Sequence, residues 1–357
     1  MWAYVVLIIV IIGLWFLFDR LKMEKKKKKI LYCIICGILL VLVAGTRVGS
    51  LDFGDDSMYM RNFTYVRENS FVDVFNYFKA QDTEVVFYEF TKLVSLFTDN
   101  YNVLLTICAI PIVFVISRII YKFSKKPYFS YLIFFCAFFF LWSMVTLRQA
   151  IAMAFVGLSL EFLLNKKYWR FLIAVGCAVL FHRTAIVFLL ALPLSFLRYS
   201  KKSVVGFIAL CIIGIIFGEQ IVNMAMGAFA DAGHFSAYLD RAESFGNWKQ
   251  IYKFLVYGLL TASALVVSKD KYKTKNSLFI HSCLVGCLLC TFAPFFAETY
   301  RLALYFMLSL IIILPNAVDG MKDKKMQALL TAVITVSLIV LGFVTFASMG
   351  YQNIIMG

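Results

Sequence analysis

Four short stretches of this sequence hold residues able to grip an anion or move a proton. The first is Arg47-Val-Gly-Ser-Leu-Asp52-Phe-Gly54-Asp55-Asp56-Ser-Met-Tyr59, an arginine and three carboxylates with glycines that permit tight turns. Glu84 follows in Asp82-Thr83-Glu84, where Thr83 is placed to cap the next helix. The second is Arg148-Gln149, which opens a strongly apolar stretch. The third is His182-Arg183, between two apolar runs, and the fourth is Glu298-Thr-Tyr300-Arg301. Arginine presents a planar fork that matches phosphate oxygens. Histidine can accept a proton near neutral pH. Each stretch also has a plain structural explanation: a solvated loop, a helix-end charge, a snorkelling arginine or an Arg–Glu clasp. Taken together, Arg47, Arg148, Arg183 and Arg301 suit an anionic lipid headgroup, above all a pyrophosphate. Asp55 and Asp56 have the chemistry to bind a metal, but the arginines can do the neutralising, so a metal-free and cofactor-free site is expected.

The elements that must position these residues are membrane helices. The chain has 357 residues, of which 62% are hydrophobic and 15% charged. A soluble domain would carry about 25% charge, and a bilayer crossing needs about 20 apolar residues. Twelve spans are expected, at 2–18, 30–46, 101–121, 128–144, 147–164, 168–182, 184–198, 203–219, 251–268, 277–294, 299–317 and 326–347. The short pair at 168–198 is also compatible with one re-entrant hairpin. The first run lacks a basic segment before it and a small-residue cleavage site after it, so it reads as a retained helix. The nine cysteines lie almost all inside apolar runs and read as small buried hydrophobes, not as disulfides or metal ligands.

Charge tests this layout independently. Alternate loops are basic, beginning with the five consecutive lysines Lys25 to Lys29. That side holds 24 basic and 6 acidic residues, and the other holds 11 and 14. The net charge of +15 therefore reports orientation and not nucleic-acid binding. The basic side reads as cytoplasmic, which puts both termini and all four stretches outside. Two long outer connections follow. One, 47–100, carries amphipathic patterns at Ser57–Arg67, Phe71–Lys79 and Glu84–Leu96. The other, 218–250, mixes polar residues with His234, Phe235, Tyr238, Phe245 and Trp248, as a lid or interfacial loop would. The whole chain reads as a single transmembrane domain, all-α and polytopic.

At these residues the chain resembles the EpsG-like branch of the Wzy polysaccharide polymerases. The resemblance rests on Arg47…Gly54-x-Asp56-x-x-Tyr59, Glu84-x-x-Phe87, Arg148-Gln149-Ala150-Ile151-Ala152 and Phe181-His182-Arg183-Thr184-Ala185. It covers about residues 40–190 by motif and the rest by hydropathy. Arg183, where a small residue is expected, and Val85, where proline is common, depart from the pattern. The resemblance implies a GT-C-like fold in the bacterial plasma membrane. It implies an enzyme that moves a growing glycan from undecaprenyl pyrophosphate to a lipid-linked repeat unit at the outer face, making exopolysaccharide, capsule or O-antigen. It also implies a chain-length regulator as partner. Arginines would steady the leaving pyrophosphate, and Asp56, Glu84 or His182 would serve as base, with Asp56 and His182 preferred. Asp55, Tyr59, Gln149 and Tyr300 join the arginines as substrate contacts. Two rival functions fit the composition: a membrane O-acyltransferase, and a transporter of lipid-linked oligosaccharide. The first usually places its histidine in the early spans, whereas His182 sits mid-chain. The second calls for broken helices in paired halves, and no half-repeat is visible.

Overall fold

The computed structural model describes residues 2–48, 55–229 and 250–348. Among these there is no β-strand, as a chain with no water to satisfy its backbone requires. Asp52 and Gly54, and the aromatic set from His234 to Trp248, lie outside the described residues.

The helices in chain order begin with α1 (Trp2–Arg20), α2 (Lys25–Gly45), α3 (Asp56–Glu68), α4 (Phe71–Ala80) and α5 (Val85–Ser95). They continue with α6 (Tyr101–Phe123), α7 (Pro127–Cys136), α8 (Phe139–Val145), α9 (Leu147–Leu164) and α10 (Tyr168–Phe181). Eleven of the twelve expected stretches fall on an α-helix or a bent pair of helices, and the one at 184–198 falls on a 3₁₀ segment and a short helix. Among the described residues, four helices are long and apolar enough to cross a membrane alone, and up to seven if each bent pair is one span. The expected span at 128–144 is α7 and α8, bent by 48°. The break falls at Phe138, whose φ of 69° is left-handed and costly for a bulky side chain. The weak pair at 168–198 resolves as α10 followed by a 3₁₀ segment at Arg183–Leu190 and a short helix at Ala191–Leu194.

By contacts the chain forms two compact units. One comprises residues 1–186 and 322–357, and the other 187–321. In the first, α2 packs on α6, α6 on α9, and α9 on α10. The amphipathic patterns of the 47–100 connection are α3, α4 and α5, within a residue or two of the expected limits. Their apolar faces close over the N-terminal ends of α6 and α9: Tyr59, Phe63, Val74, Phe78, Phe87 and Tyr88 share one core with Leu104, Leu105, Leu147 and Ile151. A capping box opens α4, with Ser70 accepting from the Asp73 amide and Asp73 accepting from the Ser70 amide. Thr83 does not cap α5. Its hydroxyl donates back to the Phe78 carbonyl at 3.1 Å, and Glu84 occupies the cap position without a side-chain capping bond. The carboxylate of Glu84 is taken by tertiary partners.

In the second unit, the helix Ser277–Thr291 is a hub. The buried His281 ties it by Nδ1 to the Ser277 carbonyl at 2.9 Å and by Nε2 to the Ser203 hydroxyl at 3.2 Å.

Candidate functional site

Among the described residues, two largely buried ion-pair systems lie where α3 and α5 meet the ends of the membrane helices, both in the first unit. The deeper one is Arg47 with Asp56. Arg47 follows the C-terminus of α2, and Asp56 begins α3. Both are fully buried, and Arg47 Nη2 donates to Asp56 Oδ1 at 2.6 Å. The same guanidinium donates to the Met144 and Ala44 carbonyls at 2.6 and 3.0 Å, two backbone acceptors left open near helix ends. The Tyr101 hydroxyl donates to Asp56 Oδ1 at 3.0 Å. Asn102 holds the Gly45 and Arg47 carbonyls at 2.8 and 2.7 Å. Such a buried pair relies on its hydrogen bonds to offset desolvation, and Arg47 Nε is left without one. Here it pins α3 to α2, α6 and α8.

One turn along α3 from Asp56 stands Tyr59, which belongs to the second system. Arg148, at the start of α9, donates from Nε to the Tyr59 hydroxyl at 3.1 Å and lies over its ring at 5.7 Å. Its Nη1 donates to Glu84 Oε2 at 2.6 Å. Its Nη2 makes neither bond. The other oxygen of Glu84, Oε1, accepts from the Arg183 amide at 3.1 Å and faces His182 Nδ1 at 3.1 Å. A carboxylate can only accept, so Nδ1 is the donor, and a ring that carries its one proton there has its lone pair on Nε2. That Nε2 is buried and has no hydrogen-bond partner. Arg183 itself is half exposed, and its Nη2 donates to Asp82 Oδ1 at 2.9 Å.

Local sequence explains how these groups meet. Asp82 takes a left-handed φ of 51°, a conformation that aspartate tolerates, and turns the chain between α4 and α5. His182 is extended, at φ −156°, where α10 stops. The helix thus ends by presenting the imidazole and the next amide together to one carboxylate. Burial alone would raise the Glu84 carboxyl, but the hydrogen bond from His182 and the charge of Arg148 outweigh it and hold it at about 2. Burial pushes the Tyr59 hydroxyl up to about 12, against the pull of Arg148.

The structure thus brings together Tyr59, Glu84, Arg148, His182 and Arg183. Arg47 and Asp56 face each other one turn away. Gln149 is buried beside Arg148 in α9, and the Asp55 amide donates to the Val145 carbonyl at 3.3 Å. Tyr300 and Arg301 belong to the second unit. There Arg301 pairs with Glu298 at 3.1 Å, and the buried Tyr300 ring lies 4.0 Å from Lys253 Nζ. Sequence reasoning missed Tyr101 and Asn102, which complete the Arg47–Asp56 system, and Lys253. All three open apolar helices, as Arg148 does, and that shared position was the available signal. Among the described residues, no group of three or more His, Cys, Asp or Glu is arranged to hold a metal ion.

A model of the EpsG family matches residues 29–355, nearly the whole chain. The chain belongs to the EpsG family. The match extends well past the motif-bearing region at 40–190, which hydropathy alone had linked to the rest. No curated protein and no solved structure matches the chain significantly. EpsG membership points to a glycosyltransferase-type polysaccharide polymerase acting in exopolysaccharide synthesis, and the apolar helices fit a multi-pass membrane protein.

Proposed function

We propose that this EpsG-family chain polymerises a glycan at the outer face of the bacterial plasma membrane, with His182 as the base. The observation that carries this reading is the buried His182 Nε2, unpartnered and aimed by Glu84. An acceptor sugar hydroxyl attacks the anomeric carbon of the growing chain, which is held on undecaprenyl pyrophosphate. The hydroxyl proton passes to Nε2, the new C–O bond forms, and the old one breaks with its electron pair on the pyrophosphate. Developing negative charge on that leaving group is met by arginine. Arg183, with its exposed and exchangeable Asp82 pair, is suited to swing onto phosphate. Arg148 keeps its fork on Glu84 and Tyr59 and offers Nη2. Glu84 is the orienting residue: its two oxygens are spent on Arg148, His182 and the Arg183 amide. Asp56 faces Arg47 and holds the scaffold. Asp55, Gln149, Tyr300 and Arg301 remain proposed substrate contacts, and the reaction is proposed to need no metal.

The wider setting belongs to the same proposal: twelve spans in a GT-C-like arrangement, both termini outside, and a chain-length regulator as partner. The test is incubation of the purified protein with a lipid-linked repeat unit. Ladders of glycan that vanish in His182→Ala, with folding intact, are the expected result. Unchanged substrate, acyl transfer or mere translocation in vesicles would overturn the reading.

A further inference from the structure

Away from this site, α2 and α6 form an apolar groove of about 650 Å³, with Ile34, Ile38, Ile110 and Phe114 exposed along its walls. It runs from Ile30 to Leu42 on α2, about 18 Å of helix by rise. One hydrocarbon leaflet is about 15 Å deep, half of a bilayer core. The groove therefore has the length of a single acyl tail, and it starts directly beside Lys29.

That end is basic. Arg118 and Tyr121 line it. Arg118 and Lys122 both pair with Glu161, which supplies one negative charge for two positive ones. Lys29 adds a third cation, its Nζ 5.7 Å from the Tyr121 ring centroid and donating to the Ser124 carbonyl. Lys25 to Lys28 precede it on the first turn of α2. A helix N-terminus already carries a partial positive charge. Here no acid lies in the first turn, and Glu24 provides no side-chain cap. Five lysines on such an end outnumber the nearby Asp19 and Glu24, even with Lys28 donating to the Asp19 carbonyl, and leave an excess of positive charge there.

We infer that this groove binds one anionic phospholipid of the leaflet on the lysine-rich side, its tail between α2 and α6 and its phosphate among Lys29, Arg118 and Lys122. A polyprenyl carrier presented at the opposite face is disfavoured, because the charged end of the groove lies on the lysine side. The inference goes beyond glycosyl transfer and depends only on α2 and α6 spanning the membrane.

The test is native mass spectrometry of the full chain released from nanodiscs of mixed phosphatidylglycerol and phosphatidylcholine. Wild type should retain phosphatidylglycerol preferentially. Lys29→Gln should weaken that retention about fivefold, the effect of one basic residue near an anionic surface. Ile38→Trp and, separately, Ile110→Trp should abolish it by filling the groove, while melting temperatures stay near wild type. Equal retention of both lipids would overturn the inference. So would a preference that survives either tryptophan in a folded protein, displacement of phosphatidylglycerol by undecaprenyl phosphate, or a dimer that the tryptophans dissolve.

Discussion

Glu84 Oε1 lies 3.1 Å from His182 Nδ1 although the two residues are 98 positions apart in the chain. The carboxylate takes the Nδ1 side of the ring and leaves Nε2 without a hydrogen-bond partner, the atom proposed above as the base. A positioned base contributes about 10²- to 10⁴-fold, so His182→Ala should reduce polymerisation within that range. Glu84→Gln keeps the shape but lets the amide present a donor or an acceptor to the ring. It should lower kcat while changing KM for the lipid-linked unit little. Rates measured under saturating substrate check this. A wild-type kcat in both variants would remove His182 from the reaction.

The same carboxylate gives the cap formed by α3 to α5 an acid limit. The Glu84 carboxyl sits at about 2 in the folded protein, against an ordinary value of 4.5. A depressed carboxyl contributes stability that is present above the ordinary value and is lost as pH falls through the folded one. Cleavage of the α3–α5 cap by an acid-active protease should therefore rise as pH drops from about 4.5 toward about 2. In Glu84→Gln the cap should be more readily cleaved at neutral pH by a protease active there, and this component of the acid response should disappear. A pH response that is the same in the variant would assign the effect to other carboxylates.

Arg47 and Asp56 make a different prediction, because both are buried and their partners are all protein atoms. Removing one member leaves a bare charge inside, a cost of about 3–5 kcal/mol. Arg47→Met or Asp56→Leu alone should lower unfolding stability by about that amount, whereas the double variant should recover much of the loss. A double-mutant cycle on the detergent-solubilised protein measures it. Additive losses would mean that the pair is not coupled.

How much of this was legible beforehand depended on the range of the interaction. The spans, the basic loops and the helices α3 to α5 follow from period and charge, which are local properties of the sequence. The clustering of Glu84 with Arg148 and His182 follows from no local property. Three separate segments converge because Asp82 turns the chain, α10 stops at Phe181, and α9 begins beside both. Asp56 and His182 looked alike as bases in sequence, but they stand in different surroundings: one oxygen of Asp56 takes both Arg47 and Tyr101, while Nε2 of His182 is buried without a hydrogen-bond partner. The expected Thr83 cap shows the reverse error. A local rule for helix starts was overridden by a tertiary demand on the neighbouring Glu84.

Arg183 offers the cleanest way to tell substrate binding from scaffold. It is half exposed, and its Asp82 partner is exposed as well. An exposed pair is worth about 0–1 kcal/mol, so Arg183→Ala should leave the melting temperature close to wild type. If the guanidinium leaves Asp82 for the donor pyrophosphate, the variant should raise KM for that donor and flatten the salt dependence of the rate. Arg183→Lys should restore the charge but not the fork, and should recover only part of the loss. Asp82→Asn should act in the opposite direction, lowering KM by loosening one hold on Arg183. Steady-state kinetics at two ionic strengths separate these outcomes. An Arg183→Ala enzyme with unchanged KM and unchanged salt response would confine Arg183 to holding the turn at Asp82.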